Sequence, residues 1–199
     1  MIDNTRNGRE VMFELTKLLS CFGPTCGDVV DWGAVEAAYG RRLPSDYQQF
    51  MAAFGCGSIE QALYIHAPAI TSDELAGNVV SALPAGILAG SAEDWRDPAQ
   101  AGLYHLEDML LWGITEEDFL CWVTSDENPD RWPVAVYSRC HAAWSVYPYG
   151  MVEFLLRLFR DGFDEWPISD MGLRSISEPR FLHDTDEEAG WELQERPWE

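Results

Sequence analysis

The amino-acid sequence predicts a single α+β domain with helices first, then a central mixed or antiparallel sheet, and a last helix packed on that sheet. Two observations support this prediction. Before residue 55 apolar residues recur at helical spacing, and after it they fall into short runs separated by turns. The 199 residues, 47% of them hydrophobic, suffice for one core of ordinary size. No apolar run reaches the roughly 18–20 residues that a membrane-spanning helix needs.

Three N-terminal helices are predicted from their apolar spacing and their end signals. The first covers roughly residues 9–21 and stops at a Gly-Pro pair. Asp31 is a candidate N-cap for the second helix, which ends at Gly40. Pro44 opens the third helix, where a missing N–H costs nothing, and the glycine turn 55–57 ends it. The apolar face of this third helix consists of Tyr47, Phe50, Met51 and Phe54.

The second half of the chain is predicted to form the sheet. The strand candidates are residues 62–65, 110–113, 119–124, 134–137 and 143–147. A helix over 72–82 and a loop over 84–101 separate the first two strands, and the closing helix covers 151–160. These elements define a domain over residues 1–162. Residues 163–199 are interpreted as an acidic extension that can dock on the domain through Phe163, Trp166, Phe181, Trp191 and Trp198.

The cysteines and histidines indicate neither a disulfide framework nor a metal site. Five cysteines, an odd number, include no CxxC pair, and the four histidines are scattered. Cys140-His141 is adjacent in sequence, but no second pair at metal-ligand spacing accompanies it. Residues 1–7 are polar and lack the apolar stretch of a signal peptide. We therefore expect free thiols, no cofactor and a cytoplasmic protein.

Acidity is the strongest feature of the composition, with a formal net charge of −21. Residues 93–130 hold 11 acidic side chains and 1 basic one, and residues 161–199 hold 12 and 3. The intervening residues 131–160 hold 1 and 4 and are slightly basic. Such a field repels nucleic acid and anionic membranes and attracts basic partners. Simple solubility is the alternative explanation of the charge.

One ordered set of motifs resembles the SUKH superfamily over roughly residues 30–160. The opening motif consists of Trp32, Val35, Glu36, Tyr39, Gly40, Leu43, Pro44, Asp46, Tyr47 and Phe50, followed by Gly55 and Gly57. Trp112-Gly113, the later strands and the closing helix come in the order found in that family. The resemblance implies a SUKH-like α+β domain. Members of the family include bacterial toxin-immunity proteins and a fungal cell-wall synthesis regulator.

The leading hypothesis is an immunity-type protein that binds and blocks a cognate toxin domain. A nuclease toxin is basic around its substrate site, so an acidic inhibitor would be steered to it. The candidate contact residues are Asp94, Trp95, Glu107, Asp108, Glu116, Glu117, Asp118, Asp126 and Glu127. Tryptophan often anchors interfaces, although burial in the core is the alternative for Trp95. A regulatory scaffold for a cellular client is the second hypothesis.

Catalysis is the least favoured hypothesis. Cys56 lies between two glycines, but the triplet follows a helix, whereas a nucleophile elbow follows a strand. No histidine is placed by a motif to activate that thiol. Asp46 is interpreted as a helix first-turn residue that favours the helix dipole, with ligand binding as the alternative. A hydrolase using the many paired carboxylates would need two of them at a fixed separation in a cleft.

Overall fold

The computed structural model describes residues 8–84, 94–193 and 197–198. Within them the chain forms an α+β fold, as predicted, with five α-helices and a nine-stranded mixed sheet. The polar residues 1–7 and part of the predicted loop, residues 85–93, lie outside the described residues. None of the described helices is long and apolar enough to cross a membrane.

The helices are α1 (Gly8–Leu18), α2 (Trp32–Tyr39), α3 (Ser45–Ala53), α4 (Met151–Phe159) and α5 (Asp184–Glu192). The strands are β1 (Ser20–Cys21), β2 (Gly57–Ile59), β3 (Leu63–Ile65), β4 (Ser81–Ala82), β5 (Met109–Ile114), β6 (Phe119–Val123), β7 (Val134–Ser138), β8 (Ala143–Tyr147) and β9 (Arg180–His183). The helix ends and strand positions predicted from residues 30–60 and 109–160 therefore agree with the structure to within one or two residues.

The sheet joins both ends of the described chain. Its order is β1-β9-β2-β3-β5-β6-β7-β8, with β4 paired to β5 beside β3. Only the β1–β9 pair is parallel, with Ser20 opposite Arg180, and the other named strand pairs are antiparallel. Thus β9, from the segment interpreted as an extension, lies inside the sheet between β1 and β2. The predicted boundary at residue 162 does not coincide with an edge of the sheet.

The sheet has an apolar core on each face. Helices α1 to α4 cover the first face and enclose the larger core, which includes Trp112, Trp122, Tyr47 and Phe50. Leu83 and residues 94–108 cover the strands β5 to β8 on the second face, where Trp144 is fully buried. Trp112, Trp122 and Trp144 are thus core residues, as their positions in strands predict.

A bulge in β5 changes the face of the sheet that the last residues of this strand occupy. The register of β5 against β6 shifts between Leu111 and Gly113. Because side chains alternate along a regular strand, the extra residue reverses which face the following residues occupy. Leu111 packs in the core of the second face, Trp112 in the core of the first, and Ile114 again on the second.

The predicted helix over residues 72–82 does not form. A short 3-10 turn covers Glu74–Ala76, and Ser81–Ala82 is the strand β4. Ser81 lies opposite Leu111 and Ala82 opposite Leu110. Pairing with the exposed edge of β5 competes with the helix, and Gly77 inside the segment lowers its helix propensity.

Two cysteines are bonded, contrary to the expectation of free thiols. Cys21 and Cys26 form a disulfide across the Gly-Pro turn, which brings their Cα atoms to 6.3 Å. The turn places residue 26 beside the end of α3, where its sulfur lies 3.1 Å from the carbonyl oxygen of Ala53. Cys56, Cys121 and Cys140 are free.

Candidate functional site

The candidate acidic residues between positions 107 and 127 lie at the two ends of the β5–β6 hairpin. Met109 pairs with Val123 at one end, and Ile114 pairs with Phe119 at the other. Glu107, Asp108, Asp126 and Glu127 therefore flank the first end, whereas Glu116 and Glu117 form the turn at the second. At about 3.3 Å per residue, five to six residues of strand separate these groups by roughly 17–20 Å. The sequence predicts one surface, and the structure divides it into two.

The hairpin turn presents two exposed glutamates. Glu116 and Glu117 are both exposed. No ion pair joins either carboxylate to a cation of the described residues. The Thr115 hydroxyl accepts the N–H of Glu117 at 3.2 Å and that of Asp118 at 2.9 Å, which fixes the turn. The backbone of the turn is consequently fixed, and both glutamate side chains face solvent.

Asp118 is buried beneath this turn, contrary to the expectation that it is a contact residue. Its side chain is 0% exposed. One carboxylate oxygen accepts the N–H of Arg139 at 3.2 Å, and the other accepts the N–H of Ser169 at 2.6 Å and the hydroxyl of Thr115 at 3.0 Å. Asp118 therefore ties the β5–β6 turn to the β7–β8 turn and to the segment after α4. It is a structural residue that cannot reach a partner.

Trp95 is likewise buried and does not form an interface anchor. It is 9% exposed and packs in the core of the second face, with its ring centroid 5.9 Å from that of Tyr104. Trp132 is 2% exposed and is therefore also a core residue. Asp94 is exposed, but its carbonyl accepts the N–H of Trp144 at 2.7 Å.

The edge strand β8 is closed by the segment that contains Trp95. Trp144 gives its N–H to the carbonyl of Asp94, and its own carbonyl accepts the N–H of Arg96 at 2.9 Å. The side-chain amide of Gln100 then binds both the carbonyl and the N–H of Val146, each at 3.1 Å. The backbone N–H and carbonyl groups of Trp144 and Val146, which face away from β7, are thus all hydrogen-bonded. A partner therefore cannot add a strand here without displacing this segment.

Asp46 joins two helices. As predicted, it lies in the first turn of α3, where one carboxylate oxygen accepts the N–H of Tyr47 at 2.8 Å. Its other oxygen accepts the N–H of Val152 at 3.1 Å, in the first turn of α4. Burial raises the pKa of the Asp46 carboxyl above its usual range, and the backbone N–H groups partly oppose that rise. Asp46 acts as a cap for a helix about a hundred residues away in sequence, which the sequence pattern does not reveal.

The other residues of the opening motif have structural positions. The Asp31 carboxylate accepts the N–H groups of Gly33 and Ala34, and Gly40 ends α2 in the left-handed conformation. The remaining side chains, those of Trp32, Leu43, Tyr47, Phe50 and Trp112, pack in or against the larger core. Glu36 is exposed, and a Cβ on Gly113 would lie 3.0 Å from the carbonyl oxygen of Tyr64. The motif therefore describes how the helices dock on the sheet.

The turn after α3 contains one group of potential metal ligands. Asp28, Cys56 and His183 place their ligand atoms within 4.8 Å of one another. Asp28 accepts the N–H of Cys56 at 2.9 Å and lies 3.1 Å from Nε2 of His183. Gly55, with φ of +82°, is required because a Cβ there would lie 2.4 Å from that Nε2.

Hydrogen bonding makes this group a poor metal site. The N–H of Thr185 donates to Nδ1 of His183 at 3.2 Å, so Nδ1 is an acceptor and the ring proton is on Nε2. Nε2 donates that proton to Asp28 and has no lone pair to offer. A metal-bound histidine instead gives its second N–H to an acceptor. We interpret the three residues as a junction between the turn after α3, β9 and α5.

The same junction disfavours Cys56 as a nucleophile. Burial raises the pKa of the Cys56 thiol well above its usual range, and the carboxylates of Asp184 and Asp28 raise it further. Both nitrogens of His183 are already hydrogen-bonded, so neither is free to accept the thiol proton. A thiolate, the reactive form of cysteine, is therefore unfavourable at this position.

Three of the four arginines of the slightly basic segment lie beside the chain's own acids. Arg131, Arg157 and Arg160 line a groove of about 1460 Å³ between α1, α4 and the loop before β7. Arg157 lies 2.7 Å from Glu153, and Arg160 lies 2.7 Å from Glu14. Arg131 is 3.9 Å from Asp126. Because each cation has an internal carboxylate neighbour, the groove provides no concentrated positive charge for an anionic ligand.

Comparisons with protein-family models, curated proteins and solved structures found no match.

Proposed function

We propose that this protein is a non-catalytic binding protein of the immunity type, which neutralises a basic toxin domain. The observation that best supports the proposal is the pair of exposed carboxylates at Glu116 and Glu117, without a cationic partner among the described residues. They are held on a turn that Thr115 and Asp118 fix from beneath. A turn whose backbone is already fixed loses less conformational entropy on binding than a mobile loop.

The overall charge supports the same partner class. At −21, the chain repels nucleic acid and attracts cationic surfaces. A nuclease presents such a surface where it binds phosphate, so carboxylates on a rigid turn could occupy the place of the substrate. The closed edge of β8 argues that side chains, rather than an added strand, would make the contact.

The test compares two variants with the same change in net charge. In the first, Glu116→Lys and Glu117→Lys reverse the charge of the hairpin turn. In the control, Glu36→Lys and Asp73→Lys reverse two exposed acids on α2 and in the loop after β3. The partner is first isolated by affinity capture on the full chain from its native host, with elution in salt steps.

We expect the hairpin variant to slow association about tenfold or more at low ionic strength and to flatten its salt dependence, because local steering is lost. The control should change both quantities much less. Equal effects of the two variants would show that the turn is not the contact surface. An acidic captured partner would overturn the electrostatic basis of the proposal.

Activity of the captured partner separates immunity from regulation. A partner that degrades nucleic acid, and stops doing so when the protein binds, supports the immunity assignment. A partner with no toxic activity supports the regulatory scaffold instead, and the same variants then map its contact surface.

A further inference from the structure

Helix α5 packs on the sheet with its polar side inward. Ser58 and Tyr64 lie on the second face of the sheet, because they alternate with core residues of the first face. Glu187 accepts the hydroxyl of Ser58 at 3.0 Å, and Asp184 accepts that of Tyr64 at 3.1 Å. Asp186 accepts the hydroxyl of Thr25 at 2.7 Å. Three carboxylates thus hold this helix through hydroxyl donors.

The apolar residues at the end of α5 face solvent instead. Trp191 is 54% exposed, and Leu193, directly after the helix, is 70% exposed. The one buried residue of α5 is Gly190. A surface helix normally turns its apolar side to the core and its charged side to water. Here the arrangement is reversed, so folding of the chain does not account for a tryptophan at position 191.

Residues 197–198 pack beside this surface, and Trp191 is exposed. Pro197 lies against Gly190, and the indole N–H of Trp198 donates to Glu187 at 3.0 Å. The Trp198 ring stacks on Phe22, with ring centroids 5.9 Å apart, and Phe22 is itself 42% exposed. The Arg180 guanidinium lies over this aromatic pair, 4.7 Å from the Phe22 centroid and 5.5 Å from that of Trp198, so the open aromatic surface is mainly that of Trp191.

Two exposed charges near the end of α5 are unfavourable unless a cation approaches. Glu188 and Glu192 are exposed, and they are spaced i, i+4, so they repel each other along one side of the helix. Glu192 also lies in the last turn, where the helix dipole disfavours a negative charge. A basic surface would relieve both interactions, whereas a second copy of this chain would bring like charges together.

We propose that the Trp191–Leu193 end of α5 is the apolar anchor for a basic protein partner, with Glu188 and Glu192 as its charged rim. An aromatic centre surrounded by polar residues is the usual arrangement of an interface hot spot. This inference rests on the proposed binding function and assigns that function a second contact region. Tyr64 connects the two regions, since it contacts Asp184 and pairs with Ile114, two residues before Glu116.

The test uses a photo-crosslinking amino acid, p-benzoyl-phenylalanine, in the full chain. It replaces Trp191 in one variant and Phe13 in a matched control, since Phe13 is 58% exposed on α1. A third variant has it at Glu117. After irradiation in the native host, crosslinked proteins are identified by mass spectrometry. We expect the same basic protein to be crosslinked at positions 191 and 117, and no basic protein to be crosslinked at position 13.

Each outcome separates the two proposals. A basic partner crosslinked at 117 and not at 191 would overturn the α5 anchor and leave the proposed function intact. A crosslink at 191 to a second copy of this chain, or to a membrane protein of acidic surface, would overturn the inference about the partner. No basic partner at any position would contradict the proposed function itself.

Affinity measurements give an independent readout on the purified partner. Trp191→Ala should weaken binding about tenfold or more, as interface tryptophans commonly do. Phe13→Ala, a similarly exposed aromatic, should leave binding unchanged, and both variants should keep the melting temperature of the parent. Unchanged affinity of the Trp191→Ala variant would refute the anchor even if binding remained salt-dependent.

Discussion

Replacing Asp46 with alanine tests whether one carboxylate couples the third helix to the fourth. The change removes the acceptor of two backbone N–H groups, those of Tyr47 and Val152, both residues being buried. Loss of an N-cap side chain costs about 0.5–2 kcal/mol. A buried N–H left without a partner costs about 1–3 kcal/mol.

The carboxylate also destabilises the fold by its own burial, which reduces the net loss. Burial raises the pKa of Asp46, so part of the hydrogen-bond energy offsets desolvation of the charge. We expect Asp46→Ala to lower the free energy of unfolding by about 2 kcal/mol. For a chain of this size, that corresponds to roughly 4–8 °C in melting temperature.

The pH dependence of this difference has a definite sign. A carboxyl whose pKa is raised by folding binds more protons in the folded state than in the unfolded state. The stability that Asp46 provides is therefore fully present below its unfolded pKa, about 3.9. It declines as pH rises through the raised folded pKa of Asp46. The stability gap between parent and variant should be largest near the acid end of the range and narrow toward neutral pH.

Urea unfolding from about pH 4.5 to 7.5, followed by tryptophan fluorescence, measures this gap. Asp31→Ala is the control, because Asp31 is an exposed cap of the single helix α2. A gap for Asp46→Ala no greater than that for Asp31→Ala would refute the interhelix coupling. A gap that widens with rising pH would show that hydrogen bonding to the charged form, rather than burial, dominates at Asp46.

Three further predictions concern the residues around the hairpin and the free thiols. Asp118→Ala should destabilise the fold by about 3 kcal/mol, because one buried hydroxyl and two partly buried N–H groups lose their acceptor. A melting temperature within about 2 °C of the parent would contradict this. Gln100→Ala should open the β8 edge and increase self-association, measured by light scattering, with little loss of helix content; an unchanged scattering signal would argue against an edge-protecting role. Cys140 is exposed, whereas burial and neighbouring carboxylates raise the pKa of Cys56, so at pH 8 a thiol reagent should label Cys140 first. Rapid labelling of a Cys140→Ser variant would contradict that assignment.

Local signals in the sequence predicted much of the fold. Asp31 and Gly40 bound α2 because a side-chain cap and a left-handed glycine act within a few residues. The meander of β5 to β8 follows from apolar runs between turns, since each strand pairs with its sequence neighbour. The assignment to the α+β class needed only these local features.

The candidate site depended on contacts that the sequence does not encode locally. Glu116, Glu117 and Asp118 are three acids in a row, yet two are exposed and one is buried. The difference comes from Ser169 and Arg139, which supply donors from other parts of the chain. The sequence names Trp191 among the residues through which the extension can dock, but Trp191 is 54% exposed because α5 packs with its polar side inward.

The position of β9 has a consequence for how the chain folds. The meander of β5 to β8 can pair within a few tens of residues, whereas Ser20 meets Arg180 only after most of the chain is in place. Long-range pairings of this kind slow folding. During synthesis, β1 and β2 would emerge from the ribosome well before β9, so the strand edges that pair with β9 would stay unpaired until then. Unpaired strand edges are where a nascent chain is most exposed to mispairing and to chaperones.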